Sequence, residues 1–424
     1  MPARCLPVRP DLDQLKRQAK ELLRALHSGD SVAVAELKER HPDSVDAAHA
    51  KLADAQLVLA RSYHASSWTR LAQSVQLADA IWRDDLDAVR TLMTGNPALV
   101  REHVLIRTNS DWGPPMTYAA NLGRDRIIQL LHGLGATDAE SAAERAALQG
   151  NVDTARMLYE MAGRPAISDR ALDGPAYTLS AKGTALLLAL GAPVRDGAGN
   201  RLAPVNIVLQ TDGRNPTTKH AILEMYVSHG LDLPDTPTMA LHRGRIDLLE
   251  ERLRRDPNML SRTFSHREIY PADMGCGDPL DAVAGTPLGG TTLLHMCVEY
   301  DELEIARWLL DQGADVDIRA AVGRSGFGGY TALFNTVVSQ PNFWMNYEKR
   351  GPFAAPFAEL LLERGANPNV RASIWTRLGP GHDDTTTRHD YRDVTALSWG
   401  RRFHGTSFVS KPAMRLIEAA GGVE

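Results

Sequence analysis

The chain has 424 residues, 43% of them hydrophobic and 23% charged, with a formal net charge of -5. That length exceeds what one compact core holds, so several domains or an elongated repeat are expected, and the balance is that of a folding chain rather than a disordered one. The acidic excess removes the unspecific pull towards phosphate backbones, so nucleic acid is excluded as an expected partner.

Residues 1–13 carry scattered Pro and Arg without the apolar run of a signal peptide, and no window approaches the apolar length that spans a bilayer. No membrane association is expected. Cys5, Cys276 and Cys297 are odd in number and far apart, with no CxxC. A cytoplasmic, reducing location follows as an expectation, with neither a disulfide framework nor a thiolate metal site. Asp11 to Leu26, Ser31 to Arg40 and Leu52 to Arg61 have helical spacing, and Ser66-Ser67-Trp68 opens another short helix. The stretch 1–73 therefore reads as a helical N-terminal cap over whatever follows.

Beyond it the chain repeats. A well-aligned helix pair runs from Pro114 to Ala136, and degenerate copies are read at Leu77 to Arg90 and at Ala146 to Leu158. Distorted copies follow at 183–192 and 203–233, and Thr238 to Leu249 is clearer. The sharpest copy opens Thr292-Leu293-Leu294-His295, continues with Leu303 to Leu310 and closes Gly313-Ala314-Asp315. Thr331-Ala332-Leu333-Phe334 with Phe357 to Glu363 and Gly365-Ala366-Asn367 is another, and Val394 to Trp399 with Ala413 to Ile417 ends the array. A period near roughly 33 residues gives about nine units.

These phrases resemble the ankyrin repeat, marked by a Thr-Pro-Leu-His start, small residues in the first helix, a Leu-Leu pair in the second and a Gly-Ala-Asp/Asn close. The lead-in Ala55-Gln56-Leu57-Val58-Leu59-Ala60-Arg61 and the phrase Ser325 to Phe334 are similar to a group of bacterial ankyrin proteins. The resemblance implies an all-α ankyrin-repeat solenoid whose usual work is protein binding. The physics agrees: Thr caps a short helix, small residues admit the next repeat, and glycine ends the second helix in a left-handed conformation. Three regions are expected: the cap at 1–73, degenerate repeats at 74–261, and at 262–424 repeats carrying long inserted loops and a C-terminal cap.

The interruptions fall late in the chain. Residues 262–290 are rich in Gly and Pro, 323–330 lengthen one connection, 340–356 separate two helices of a unit, and 373–393 extend the next loop. Long loops are often functional, and aromatic anchors with a polar surround suit binding. Phe327, Trp344 and Tyr347 are the expected apolar contacts, with Arg388, His389, Tyr391, Arg401 and His404 as polar ones. The loops 318–330 and 373–393 are expected side by side, and 340–356 on the opposite edge unless it folds back across the groove.

Other motifs carry less. His295 occupies the repeat position where the ring bonds backbone of the neighbouring loop, and His242, on a repeat helix, is expected to be structural or solvent-facing. His382-Asp383-Asp384 and His389-Asp390 bring imidazole and carboxylate together without a defined ligand spacing. Arg401 and Arg402 suit an oxyanion clamp or surface pairs with Asp390 or Asp393. Cys276 lacks an identifiable base and is not expected to be a nucleophile.

The leading expectation is an interaction module binding a protein partner through a concave, loop-lined face, with a small polar ligand as a lesser possibility and no cofactor or metal. The alternative is an enzyme using His382, Asp384 and His389 for acid-base or metal-assisted chemistry on a small polar substrate. A closed pocket with convergent titratable groups would favour the second.

Overall fold

The computed structural model describes residues 4–107, 110–277, 285–348, 354–378 and 387–424, with the side chains of Tyr347 and Glu348 outside that description. The chain divides into two compact units, Met1–Ala166 and Ile167–Glu424. The division falls inside the 74–261 stretch of degenerate repeats.

In the first unit, Leu15, Ala19, Leu22 and Leu26 recur at helical spacing and are the buried face of α1 (Leu12–His27), whose first turn is capped by the Asp11 carboxylate accepting from Gln14 N–H. Then come α2 (Ser31–Arg40), α3 (Leu52–Ser62), α4 (Trp68–Trp82), α5 (Leu86–Gly95), α6 (Pro115–Asn121), α7 (Asp125–Gly133), α8 (Ala139–Gln149) and α9 (Val152–Met161). The first helices of successive pairs, α4, α6 and α8, pack on one another, while α5 and α7 pack behind them. Met116, Ala119 and Ala120 of α6 and Ala142, Ala146 and Ala147 of α8 are buried, so short side chains set the close approach. The Asp138 carboxylate accepts from the Thr117 N–H (3.1 Å) and hydroxyl (2.6 Å), tying the loop after α7 to the start of α6. The lead-in before α1 is tied to these helices: Tyr118 Oη donates to the Val8 carbonyl (2.5 Å), and the Arg9 guanidinium sits 5.3 Å from the Trp82 ring centre.

The second unit contains α10 (Asp173–Tyr177), α11 (Ala181–Ala189), α12 (Val205–Gln210), α13 (Pro216–Ser228), α14 (Pro237–His242), α15 (Ile246–Arg255) and α16 (His266–Ile269). After these come α17 (Leu293–Glu299), α18 (Leu303–Asp311), α19 (Ala332–Val337), α20 (Gln340–Glu348), α21 (Pro356–Glu363), α22 (Ala396–Arg402) and α23 (Lys411–Ala419). Here α14, α17, α19 and α22 pack in succession, as do α18, α21 and α23. Left-handed residues punctuate the pairs: Gly313 (φ 92°) and Gly365 (φ 87°) end second helices, and Asp301 (φ 59°) turns between α17 and α18. Among the described residues, no helix is long and apolar enough to cross a membrane.

Two expectations need correction. The chain is mostly helical rather than all-α, because 372–394 contributes an antiparallel ribbon, β1 (Ala372–Thr376) with β2 (His389–Val394). In β1 the buried positions are Ala372, Ile374 and Thr376, a period of two that five residues show too briefly to stand out. Part of 340–356, expected as a loop, is the helix α20.

Candidate functional site

The site is built from three connections of the second unit. His295, fully buried on α17, donates from Nε2 to the Tyr330 carbonyl (3.1 Å), while its Nδ1 faces the Thr292 hydroxyl (3.0 Å). Burial pushes this imidazole down to about 4, against the pull of that hydrogen bond, so the neutral ring is the working form. It fixes the end of the 318–330 loop. His242 does the same one step earlier, donating to the Ile269 carbonyl (3.0 Å).

The 318–330 loop doubles back on itself, with Ala320 N–H donating to Tyr330 O (2.8 Å) and Gly323 N–H to Phe327 O (2.8 Å). Gly328 then joins β1 by donating to Ser373 O (2.7 Å). A Cβ at Gly328 would lie 2.0 Å from the Ala321 carbonyl oxygen, and its φ is 127°, so only glycine fits. The two loops are thus neighbours through backbone bonds.

The 285–290 segment is the third wall, and it lies over the first helices. Thr286 donates from N (3.2 Å) and Oγ1 (2.8 Å) to the Val338 carbonyl, and its hydroxyl accepts from Trp399 Nε1 (3.0 Å). Tyr330 Oη donates to Pro287 O (2.8 Å), and Thr376 Oγ1 to Gly285 O (3.4 Å). Thr286 thus ties this segment to the end of α19 and to α22.

Between these walls opens a pocket of about 450 Å³, lined by Tyr270, Leu288, Phe327, Tyr330, Ile374 and Trp375, with His266, Ser325, Thr376 and Arg377 among its polar groups. That volume and apolar lining suit an apolar side chain or a small ligand. Arginines ring the aromatics: Arg388 lies 4.9 Å from the ring centres of both Phe327 and Trp375, Arg392 lies 4.4 Å from Phe327, and Arg377 lies 5.9 Å from Trp375. Asp390 pairs with Arg388 (2.6 Å) and Arg392 (3.8 Å).

The expected site residues part company here. Phe327 and Arg388 belong to this pocket and its rim. His389 stacks on His404 with ring centres 3.6 Å apart, and the buried Tyr391 hydroxyl donates to His404 Nδ1 (2.7 Å), so these three form a separate cluster beside α22. Trp344, on α20, donates from Nε1 to Asp212 O (2.5 Å) and lines a second pocket of about 250 Å³ with Arg214, Asp301 and Phe357. Arg401 pairs with Glu418 and Glu424, not with Asp390 or Asp393 as expected. The Tyr347 side chain, His382 and Asp384 lie outside the described residues. Burial pushes the Cys276 thiol up to about 12, with Arg201 opposing, which keeps it protonated and unreactive.

Sequence reasoning missed Tyr270, Leu288, Trp375 and Arg377. It also missed a buried polar layer behind the second pocket. Arg214 meets Glu299 at 3.2 Å, their side chains 3% and 0% exposed, and Lys219 Nζ meets Glu302 at 2.8 Å. Burial works to raise the Glu302 carboxyl, but Lys219 and His220 outweigh it and leave it lowered. Partners some 85 residues apart leave no local signal in a sequence.

Against known proteins, the ankyrin repeat family model matches residues 289–321, the stretch holding α17, α18 and their flanking turns. A solved structure, the ankyrin repeat domain of human ASB11, is similar at 15% identity, over 73% of this chain and 99% of that one, with a TM-score of 0.27. A search of curated proteins finds no match.

Proposed function

We propose that the chain is a protein-interaction module, an ankyrin-type solenoid with residues 1–73 as its cap, that takes a segment of its partner into the loop-lined pocket of the second unit. Ankyrin repeats are generally protein-interaction modules, and 289–321 matches that repeat. The carrying observation is the meeting of three connections, at 285–290, 321–330 and 373–377, around one apolar pocket with a cationic rim. Aromatic anchors fixed by backbone bonds need little ordering when a partner arrives, which favours affinity. The three cysteines are unpaired, in keeping with work in a reducing cytoplasm.

Of the groups the enzyme alternative needs, His389 is packed on His404, while His382 and Asp384 lie outside the described residues. A peptide-display selection on the whole chain tests the proposal. Selected sequences should lose binding to a Phe327→Ala/Trp375→Ala variant that keeps its helical spectrum and cooperative melting. Selection of sequences that bind this folded variant equally well would overturn the pocket as the binding site.

A further inference from the structure

Resting on that reading, we infer that the partner segment is acidic: an apolar side chain enters the pocket between Phe327, Tyr330 and Trp375, and a neighbouring carboxylate pairs with Arg377. Most of the arginines around the pocket already hold an acceptor. Arg388 and Arg392 share Asp390, and Arg371 pairs with Asp393 (3.1 Å). Arg319 reaches the carbonyls of Gly329 (3.5 Å) and Arg371 (3.3 Å). Arg377 differs from all four. It lines the pocket, its guanidinium lies 5.9 Å from the Trp375 ring centre, and among the described residues its buried Nε has no hydrogen-bond acceptor.

A buried guanidinium donor left without an acceptor is unfavourable, and of the arginines whose Nε lacks one among the described residues, Arg107, Arg124 and Arg201 included, only Arg377 lines the pocket. The planar fork of arginine matches a carboxylate in two parallel hydrogen bonds, an arrangement that supplies orientation as well as attraction. Beside it the walls are aromatic and aliphatic. A cation next to an apolar hole therefore selects a carboxylate next to an apolar side chain. The rim agrees, since Arg388 and Arg392 set two positive charges against the one carboxylate of Asp390. The chain's net charge of -5 argues against a polyanion such as nucleic acid, which needs a broad basic surface.

The test uses an array of short synthetic peptides, each with a central Leu, Phe or Trp flanked by Glu, Gln or Lys, probed with the full chain, and affinities of the best binders measured by fluorescence anisotropy. Glu-flanked peptides should bind best. The substitution Arg377→Gln should weaken them by about tenfold, while Arg377→Lys, which keeps the charge but not the fork, should weaken them by roughly threefold. The Gln-flanked peptides should be indifferent to either change. Binding of the Glu-flanked set should also fall with added salt. Equal binding of Gln- and Glu-flanked peptides, with sensitivity to Phe327→Ala/Trp375→Ala retained, would overturn the acidic partner while leaving the pocket in place. Absence of any peptide sensitive to that double variant would instead retire the interaction reading. A single-stranded oligonucleotide competing as well as the acidic peptides would also overturn the inference.

Discussion

Both units tie a stretch of their own connecting chain to their first helices, and they do it differently. In the first unit, Val8 is held by a hydroxyl reaching out from Tyr118 on α6, and Arg9 packs over Trp82. In the second, Thr286 is held from both sides, giving its hydrogens to Val338 and accepting from Trp399. The first stretch rests on side chains of the helices, whereas the second is stitched to a helix end, a ring and a ribbon. The apolar pocket of the second unit lies beside that stitched stretch, at the rim where the long connections meet.

The largest expected effect breaks the buried polar layer that sets the second unit apart. Removing the Arg214 guanidinium leaves Glu299, fully buried, without its partner, which costs about 3–5 kcal/mol. Arg214→Ala should therefore lower the denaturant midpoint of the second unit and leave residues 1–166 protected in hydrogen exchange. Because an apolar pair of similar size avoids both desolvation penalties, Arg214→Met/Glu299→Met should cost less than Arg214→Ala alone. If the double variant is the less stable, the pair stabilises the fold outright.

His295 gives the next effect, with pH as the variable. Its folded value, near 4, lies below the ordinary histidine value of about 6.5. Between those limits the unfolded chain binds the proton and the folded chain does not, so stability is lost as pH falls from about 6.5 towards 4, by on the order of 3 kcal/mol. His295→Gln removes that slope and keeps a donor for the Tyr330 carbonyl. Urea melts of both proteins across this window check it; parallel pH curves would mean that the ring is not held neutral.

Gly328 and Gly135 test the loops directly. Both have positive φ, 127° and 89°, yet a Cβ at Gly328 meets the Ala321 carbonyl at 2.0 Å while one at Gly135 has only the Arg101 side chain at 3.8 Å. Gly135→Ala should cost about 1 kcal/mol from backbone strain alone. Gly328→Ala should cost about 2 kcal/mol or more and weaken peptide binding, because the bond to Ser373 must shift. Thermal melts of the two variants, with binding measured alongside, distinguish strain from steric exclusion.

The parts legible in the sequence are those whose cause is local. Thr292, His295 and Gly313 stand at fixed offsets because a cap, a ring reaching the next loop and a left-handed helix end are each made within one repeat. The ribbon was hidden because β2 reads His389-Asp390-Tyr391-Arg392-Asp393-Val394, with only Tyr391 and Val394 buried. Phe327 and Arg388 were found by aromatic and charge content, but Trp375 and Arg377 follow from the pairing of β1, which shows only in three dimensions. The Gly285 to Leu288 stretch has no periodicity, since its partners are a helix end, a tryptophan and a ribbon threonine.

Arg401 supplies the smallest effect and a sharp discrimination. By residue type it belongs with Arg388 and His389 as a polar contact for a ligand. In the fold its guanidinium faces Glu418 on α23 and Glu424, in pairs whose side chains are all about half exposed. Water screens such pairs, and holding the side chains together costs entropy, so Arg401→Ala should change stability by less than about 1 kcal/mol. Peptide affinity should be unaltered, because the pocket's lining includes neither Arg401 nor Glu418. An affinity loss from Arg401→Ala as large as that from Arg377→Gln would move the binding surface from the loop rim to α22 and α23.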